Sequence, residues 1–199
     1  MTAKELLTLA PRSCLMGPGD DSKTYVPSDD TALLIEALSG LEGERCLEIG
    51  FGSGAVLASL SGRFSTAVGT DLAIPDRRGA AGGAGAAEVV LADRASCFRD
   101  GVFDLVAFNP PYLPSEGIRD RAVDGGEGGV EVPLGFLDEA LRVLRREGKI
   151  FVLLSDGGDV RRFLAKAAQM RLSAVERRSK RLFYETLVVF ELSRAESGH

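Results

Sequence analysis

The sequence predicts an α/β fold, a doubly wound, mostly parallel sheet of seven strands with a C-terminal antiparallel hairpin. Short apolar runs of strand length alternate along the chain with segments of helical periodicity, which is the pattern of a parallel sheet covered by helices. A glycine-rich turn separates the first run from the next helix, as in sheets that bind ligands at the carboxyl ends of their strands. The last two runs have no helical pattern between them, which predicts a hairpin.

Length and composition indicate one globular domain. The chain has 199 residues, of which 45% are hydrophobic and 27% charged, so it can bury a sizeable core. We expect an N-terminal extension over residues 1–24, the domain over 25–193 and a tail over 194–199. No signal peptide or long apolar run is visible, which predicts a cytoplasmic protein that does not enter the membrane.

Charge and cysteine spacing exclude some classes of function. A net charge of −5 argues against a general nucleic-acid-binding surface. Cys14, Cys46 and Cys97 lack metal-binding spacing and the one histidine is the terminal His199, so no metal site is predicted. Cys46 lies in an apolar run and is expected in the core.

The elements are predicted from periodicity and from start and stop signals. Ser28 or Asp29 can cap a first helix that closes at Gly40. A row of leucines from Leu134 predicts a later helix that stops at Gly148. Further helices are expected over 55–60 and 160–167, and strands over 45–49, 66–71, 88–91, 102–108, 149–154, 171–177 and 182–192.

Three segments between these elements have unusual compositions. Residues 75–87 are too rich in glycine for a stable helix and are expected to be a short or mobile connector. Residues 113–131 are expected to form a long loop that acts as a lid or a substrate wall. The basic run Arg177–Arg181 is placed at the hairpin turn, where we favour a solvated turn over contact with RNA or an acidic partner.

The first strand runs into Glu48-Ile49-Gly50-Phe51-Gly52-Ser53-Gly54. The glycines allow a tight turn close to a ligand, and the following helix directs its first N–H groups there. Asp71, at the next strand end, is placed to bind ribose hydroxyl groups. The glycines also satisfy the dinucleotide fingerprint and alone do not separate NAD from S-adenosylmethionine. Glu48 favours the latter, because a carboxylate suits a cationic ligand better than a pyrophosphate.

Acidic and amide side chains follow two further strands. Asp93 ends the third strand and could accept a hydrogen bond from an adenine amine, although an acid that begins a loop fits equally well. Asn109-Pro110-Pro111-Tyr112 follows the fourth strand, and its two prolines make it a stiff hook. A planar amide or amino group can lie on Tyr112 while the Asn109 side-chain oxygen and the Pro110 carbonyl accept its N–H groups. The nitrogen lone pair is then directed at an electrophile such as a methyl sulfonium. A proline-rich turn is the alternative for this motif in isolation.

Together these motifs resemble a class I S-adenosylmethionine-dependent methyltransferase of Rossmann-like fold. The closer resemblance is to the HemK/PrmC-type glutamine methyltransferases of translation release factors, and it spans roughly residues 25–190. Phe51 stands where that family usually has a small residue or cysteine. Besides the glycine turn, the resemblance is carried by Tyr25-Val-Pro-Ser-Asp-Asp-Thr31, Phe108-Asn-Pro-Pro-Tyr-Leu-Pro114, Asp124-Gly-Gly-Glu-Gly-Gly-Val-Glu131 and Tyr184-Glu-Thr-Leu187.

The resemblance implies a function and roles for individual residues. It implies methylation of the side-chain amide nitrogen of a glutamine in a class I translation release factor, with S-adenosyl-L-methionine as cofactor. The alternative is methylation of an exocyclic amine, such as adenine N6, in DNA or RNA. The implied substrate clamp is Asn109, Pro110, Pro111 and Tyr112, and the implied cofactor contacts are Tyr25, Thr31, Glu48, Gly50, Gly52, Gly54, Asp71, Asp93, Arg94 and Asn109.

The short stretch before Tyr25 looks like the archaeal and eukaryotic branch of this family. The resemblance implies that the chain needs a small zinc-binding activator subunit and works as a heterodimer. Such a subunit pairs with the edge of the sheet, and the third strand is expected at that edge, where unpaired backbone groups invite strand addition.

Overall fold

The computed structural model describes residues 29–73, 87–120 and 122–195. Tyr25, Ser28, the expected N-terminal extension and most of the connector 75–87 lie outside these residues. The described strands are β1 (Gly43–Ile49), β2 (Phe64–Asp71), β3 (Glu88–Leu91), β4 (Phe103–Phe108), β5 (Leu113–Pro114), β6 (Asp124–Gly126), β7 (Leu144–Ser155), β8 (Leu172–Arg181) and β9 (Thr186–Arg194). The α-helices are α1 (Asp29–Ala37), α2 (Ala55–Leu60), α3 (Glu131–Val143) and α4 (Val160–Gln169).

The main sheet has seven strands in the order β3-β2-β1-β4-β7-β9-β8. The first five of these run parallel, and β9 is antiparallel to both β7 and β8. The predicted fold class is therefore confirmed. The chain leaves β1 toward β2 on one side and returns as β4 on the other, which opens a crevice at the carboxyl ends of these strands.

Helices cover both faces of the sheet. Alternate residues of β1 enter different cores, with Leu47 and Ile49 on the face of α3 and α4 and Cys46 on the face of α1 and α2. Cys46 is fully buried, as expected of a core residue. Burial, with a smaller effect from the nearby Glu48 carboxylate, raises the pKa of its thiol to about 12.

The predicted helix stop at Gly148 is wrong. α3 ends at Val143, and Leu144 already has an extended backbone with φ −74° and ψ 134°. The register between β4 and β7 then shifts, and Gly148 lies inside β7. A Cβ at Gly148 would lie 2.8 Å from the Leu144 side chain and 2.9 Å from the Asp104 carbonyl oxygen, so this glycine permits a close approach of the two strands.

The predicted position of the basic run is also wrong. Arg177–Arg181 forms the end of β8 instead of the turn, because β8 stays paired with β9 as far as Arg181 and Thr186. The turn is 182–185, and its tip carries two exposed aromatic side chains, Phe183 and Tyr184. β9 runs through Arg194, so the sheet extends past residue 193, where the domain was expected to end.

The expectation of a loop over 113–131 is only partly correct. β5 and β6 pair in parallel, and a 3-10 helix follows over Glu127–Gly129. Gly125, Gly126 and Gly129 are buried within this segment. No helix in the described part of the chain is long and apolar enough to cross a membrane.

Candidate active site

The glycine turn after β1 is held by the end of β2. The backbone N–H groups of Gly50 and Phe51 both donate to the Thr70 carbonyl, at 2.7 and 3.1 Å. Gly50 has φ 72° and Gly54 has φ 76°, in the left-handed region that favours glycine. Gly54 then caps α2. The turn therefore lies at the carboxyl edge of the sheet, as its sequence predicted.

Asp71 is joined directly to this turn. One carboxylate oxygen accepts from the Gly52 N–H at 3.0 Å, and the other accepts from the Ala73 N–H at 3.3 Å. Each carboxylate oxygen has capacity for a second hydrogen bond. The predicted ribose-binding acid and the glycine turn thus form one unit.

Phe51 occupies the core beneath the turn. It is 3% exposed, and Gly69 of β2 leaves room for it, because a Cβ on Gly69 would lie 3.1 Å from the Phe51 Cβ. The large Phe51 side chain fits at this position because glycine at position 69 of β2 has no side chain.

Glu48 is a buried carboxylate near the end of β1, with 3% exposure. Burial raises its pKa well above the usual value, a backbone hydrogen bond from Leu57 in the first turn of α2 opposes this, and the negative charge of Asp71 raises it further. Within the described residues, Glu48 Oε2 has no hydrogen-bond partner. A buried acceptor without a donor is costly, and a cationic ligand carrying N–H groups would remove that cost.

Three buried side-chain atoms lack a hydrogen-bond partner within the described residues. They are Glu48 Oε2, Thr70 Oγ1 and Asn109 Oδ1. Their residues stand at the carboxyl ends of β1, β2 and β4, which are adjacent strands. By strand alternation, Glu48 and Asn109 lie on the same face of the sheet as Cys46 and Ala107, whereas Thr70 pairs with Ile49 and lies on the other face. Since buried polar atoms are nearly always paired in folded proteins, the Glu48 and Asn109 atoms mark a place where a polar ligand fits.

The Asn109–Tyr112 hook leaves β4 beside α1. The Asn109 Nδ2 donates to Asp30 Oδ2 of α1 at 3.0 Å. Pro110 is buried, and Tyr112 packs against the core on the α1 and α2 face. The hook is thus fixed between β4 and α1, with Asn109 at the predicted carboxyl edge.

The segment after the hook packs against it. A Cβ on Gly125 would lie 2.8 Å from the Tyr112 Cα, and one on Gly129 would lie 2.2 Å from the Tyr112 carbonyl oxygen. The Gly128 carbonyl also accepts from the Asp159 N–H at 2.8 Å. These contacts hold the segment against the hook on one side and against the start of α4 on the other.

The other predicted cofactor contacts are spread around this centre. Thr31 is buried in α1, where its N–H donates to Asp30 Oδ1 at 2.6 Å. Asp93 is exposed just beyond β3, and Arg94, with φ 49°, lies 3.7 Å from it. The Arg94 guanidinium passes close to Gly135 of α3.

Sequence reasoning missed three residues of the site. Asp30 has no predicted role, since the helix cap is assigned to Ser28 or Asp29, and Thr70 is predicted only as part of a strand. Phe136 of α3 lies against Gly50, with a ring atom 3.4 Å from where a Cβ would stand, and its ring centroid is 5.6 Å from that of Phe108. Its position between two leucines of the helical pattern gave no signal that it lines the glycine turn.

No protein-family model matches the chain. It is similar to a release factor glutamine methyltransferase of Bradyrhizobium diazoefficiens, at 32% identity over 67% of this chain and 54% of that protein. It is also similar to the mouse protein named methyltransferase HEMK2, at 31% identity over 69% of this chain and 74% of that protein. The chain therefore spans about half the length of the first relative and about three quarters of the second.

A solved structure gives an independent comparison. The E. cuniculi Mtq2–Trm112 complex, described as responsible for methylation of the eRF1 translation termination factor, aligns with a TM-score of 0.68 and 27% identity. The alignment covers 86% of this chain and 98% of that chain.

Proposed function

Because this chain belongs to the family of release factor glutamine methyltransferases, we propose that it methylates the side-chain amide nitrogen of a glutamine in a class I translation release factor. The observation that carries the proposal is the buried Oδ1 of Asn109, which has no hydrogen-bond partner among the residues that the structure describes and lies beside the Pro110–Tyr112 hook. An amide N–H of the substrate is the donor that this oxygen lacks. The proposed place of action is the cytoplasm, where translation ends.

The residues of the hook act by orientation. Asn109 Oδ1 and the Pro110 carbonyl accept the two N–H groups of the substrate amide, and Tyr112 supports its plane. When bound, S-adenosylmethionine supplies an electrophilic methyl group. In this transfer the amide nitrogen would form a bond to the methyl carbon as the carbon–sulfur bond breaks, and the nitrogen would then lose a proton to solvent. Because the amide nitrogen is a weak nucleophile, positioning provides most of the rate gain.

The carboxyl edge holds residues that fit the cofactor. Glu48 has a carboxylate oxygen that lacks a partner in the described segments and suits a positively charged group, and Asp71 offers two carboxylate oxygens beside the glycine turn. Phe136 adds an apolar wall at Gly50. Tyr25, Thr31, Asp93 and Arg94 are the further proposed contacts.

A labelled methyl-transfer assay tests the proposal. The protein is incubated with S-adenosylmethionine carrying a labelled methyl group, and a class I release factor, duplex DNA and RNA are offered side by side. The expected result is label in the release factor, located by mass spectrometry on a glutamine side chain. Label in nucleic acid and none in the factor would favour amine methylation instead and overturn the proposal.

We also propose a small partner subunit, with bound zinc, that pairs with β3. Among the strands that the structure describes, β3 is hydrogen-bonded to β2 alone, and its Val89 is 43% exposed. β8, the other margin, carries a bulge and a row of charged side chains, two features that discourage strand addition. The relative solved with Trm112 supports a two-chain assembly.

A further inference from the structure

Asp30 is a buried carboxylate to which the mechanism above gives no role. It lies in the first turn of α1 and is 7% exposed. Its Oδ2 accepts from the Asn109 Nδ2 at 3.0 Å, across 79 positions of sequence. Its Oδ1 accepts from the Thr31 N–H at 2.6 Å. The carboxylate thus joins the start of α1 to the residue that meets the substrate.

We propose that Asp30 is a positioning residue that fixes the Asn109 amide with its oxygen toward the substrate, a role that rests on the proposed function. The oxygen and nitrogen of an asparagine side chain have nearly the same size, so shape alone does not select one orientation. An ionised carboxylate accepts and never donates hydrogen bonds, so only Nδ2 can face Asp30. The opposite atom, Oδ1, then faces away from Asp30, and it is one of the buried atoms that have no partner within the described part of the chain.

The same contact makes Asn109 a better acceptor. A negative charge at the N–H side of an amide polarises it and shifts electron density toward the oxygen. The substrate N–H becomes more acidic as its nitrogen forms the new bond to carbon. A hydrogen bond to a polarised oxygen therefore strengthens along the reaction, which is the condition for raising kcat.

The isosteric change Asp30→Asn tests this orientation. Asparagine offers one acceptor and one donor group where Asp30 offers two acceptors. If the new side-chain oxygen still accepts from the Thr31 N–H, the new amide nitrogen faces Asn109. The Asn109 amide must then turn its oxygen, instead of its nitrogen, toward position 30. Asn109 then presents Nδ2 to the substrate N–H, donor against donor. We expect kcat to fall about tenfold to 100-fold at saturating substrate and cofactor, with cofactor affinity within about twofold of the wild type.

Asp29→Asn is the matched control. Asp29 is the neighbouring residue, and its side chain is 57% exposed and bound to Lys180 Nζ at 2.9 Å. The same chemical change there should leave kcat unchanged. Equal losses of kcat in the two variants would overturn the proposal, since they would reflect charge near α1 instead of the Asn109 orientation.

The reciprocal variant Asp30→Asn with Asn109→Asp supplies a rescue. The amide introduced at position 30 can donate to one oxygen of the new carboxylate, whose other oxygen again accepts from the substrate. The hydrogen bond between positions 30 and 109, the acceptor toward the substrate and the net charge are restored, so this variant also serves if Asp30→Asn alone fails to fold. We expect kcat at least about tenfold above that of Asp30→Asn. A double variant no more active than Asp30→Asn would contradict the proposal.

A second readout does not depend on the substrate. The side-chain NH₂ resonances of Asn109 can be assigned in ¹⁵N-labelled protein by their loss in Asn109→Ala. They should shift in Asp30→Asn and stay in place in Asp29→Asn. Unshifted resonances would refute the Asp30 role even if a release factor is methylated, whereas shifted resonances without methylation of any release factor would refute only the proposed function.

Discussion

The proposed cofactor side and the proposed acceptor side of the crevice are built in different ways. On the cofactor side, backbone N–H groups of the glycine turn meet a carbonyl and a carboxylate at the end of the neighbouring strand β2, with Gly52 and Asp71 only 19 positions apart. On the acceptor side, a contact between two side chains, Asn109 and Asp30, spans 79 positions. The first side is therefore a property of two adjacent strands, whereas the second depends on how α1 packs over the sheet.

This difference predicts that the two sides can be damaged separately. Changes on the acceptor side should reduce the chemical step and leave cofactor binding intact, since they misplace the substrate nitrogen. Changes on the cofactor side should reduce cofactor affinity.

The largest effect is expected for Asn109→Ala. The variant keeps the fold but cannot orient the amide, and we expect a loss of at least about 100-fold in kcat. Single-turnover methyl transfer at saturating cofactor measures it, with calorimetry to show that S-adenosylmethionine still binds. Wild-type turnover in this variant would remove Asn109 from the mechanism.

Asp71→Ala tests the opposite side. It removes the carboxylate that accepts from the Gly52 N–H, together with the proposed ribose contact. We expect affinity for S-adenosylmethionine to weaken by about 1–3 kcal/mol, measured by calorimetry. Affinity for NAD in the wild type, with no response to S-adenosylmethionine, would instead indicate a dinucleotide site on this side of the crevice.

Glu48→Gln should have opposite effects on the stability of the fold and on cofactor binding. The pKa of Glu48 is raised in the folded state, chiefly by burial, so the native protein holds this proton more tightly than the unfolded chain. Wild-type stability should therefore fall as pH rises above the unfolded pKa of about 4.5, because the buried carboxylate must then ionise or keep its proton. Glutamine cannot ionise, so the variant should be more stable than the wild type at neutral pH and lose this advantage in acid.

Although Glu48→Gln should stabilise the fold at neutral pH, it should weaken cofactor binding. A cationic ligand favours ionised Glu48, so wild-type affinity should rise with pH and binding should release protons. The variant should bind about fivefold more weakly at neutral pH and with less pH dependence, because it keeps a neutral acceptor. Calorimetry in two buffers of different ionisation enthalpy reports the proton release. An equal proton release in both proteins would exclude Glu48 as its source.

The smallest effect concerns the two margins of the sheet. Val89→Lys places a charge on β3, and we expect it to weaken binding of the proposed small subunit several-fold, because charged edge strands resist strand addition. Val175→Lys is the matched control on β8, where Val175 is 49% exposed. Binding is measured by titration with the subunit, which should also raise cofactor affinity. The proposed edge would be contradicted if both variants weakened subunit binding equally. It would also be contradicted if the monomer were fully active and its cofactor affinity did not change with the subunit.

Several parts of the site could be predicted because their information is local. The glycine turn, its strand and Asp71 are recognisable from spacing, since tight turns and strand ends restrict residue type within a few positions. The Asn109–Tyr112 hook is recognisable because two prolines fix its backbone. Errors arose where pairing decided the outcome, as at Gly148, which follows a register shift, and at Arg177–Arg181, which β9 holds in a strand.

The sequence by itself determined the fold class, the order of the strands along the chain and the residue types at the carboxyl edge. The tertiary structure alone decided that Asp30 meets Asn109, that Phe136 lines Gly50 and that Gly125 and Gly129 lie against Tyr112. The physical reason is that periodicity reports which face of an element is buried, whereas contacts between distant elements depend on how whole layers pack. A carboxylate at the start of a helix looks like a cap until the sheet brings an amide to it.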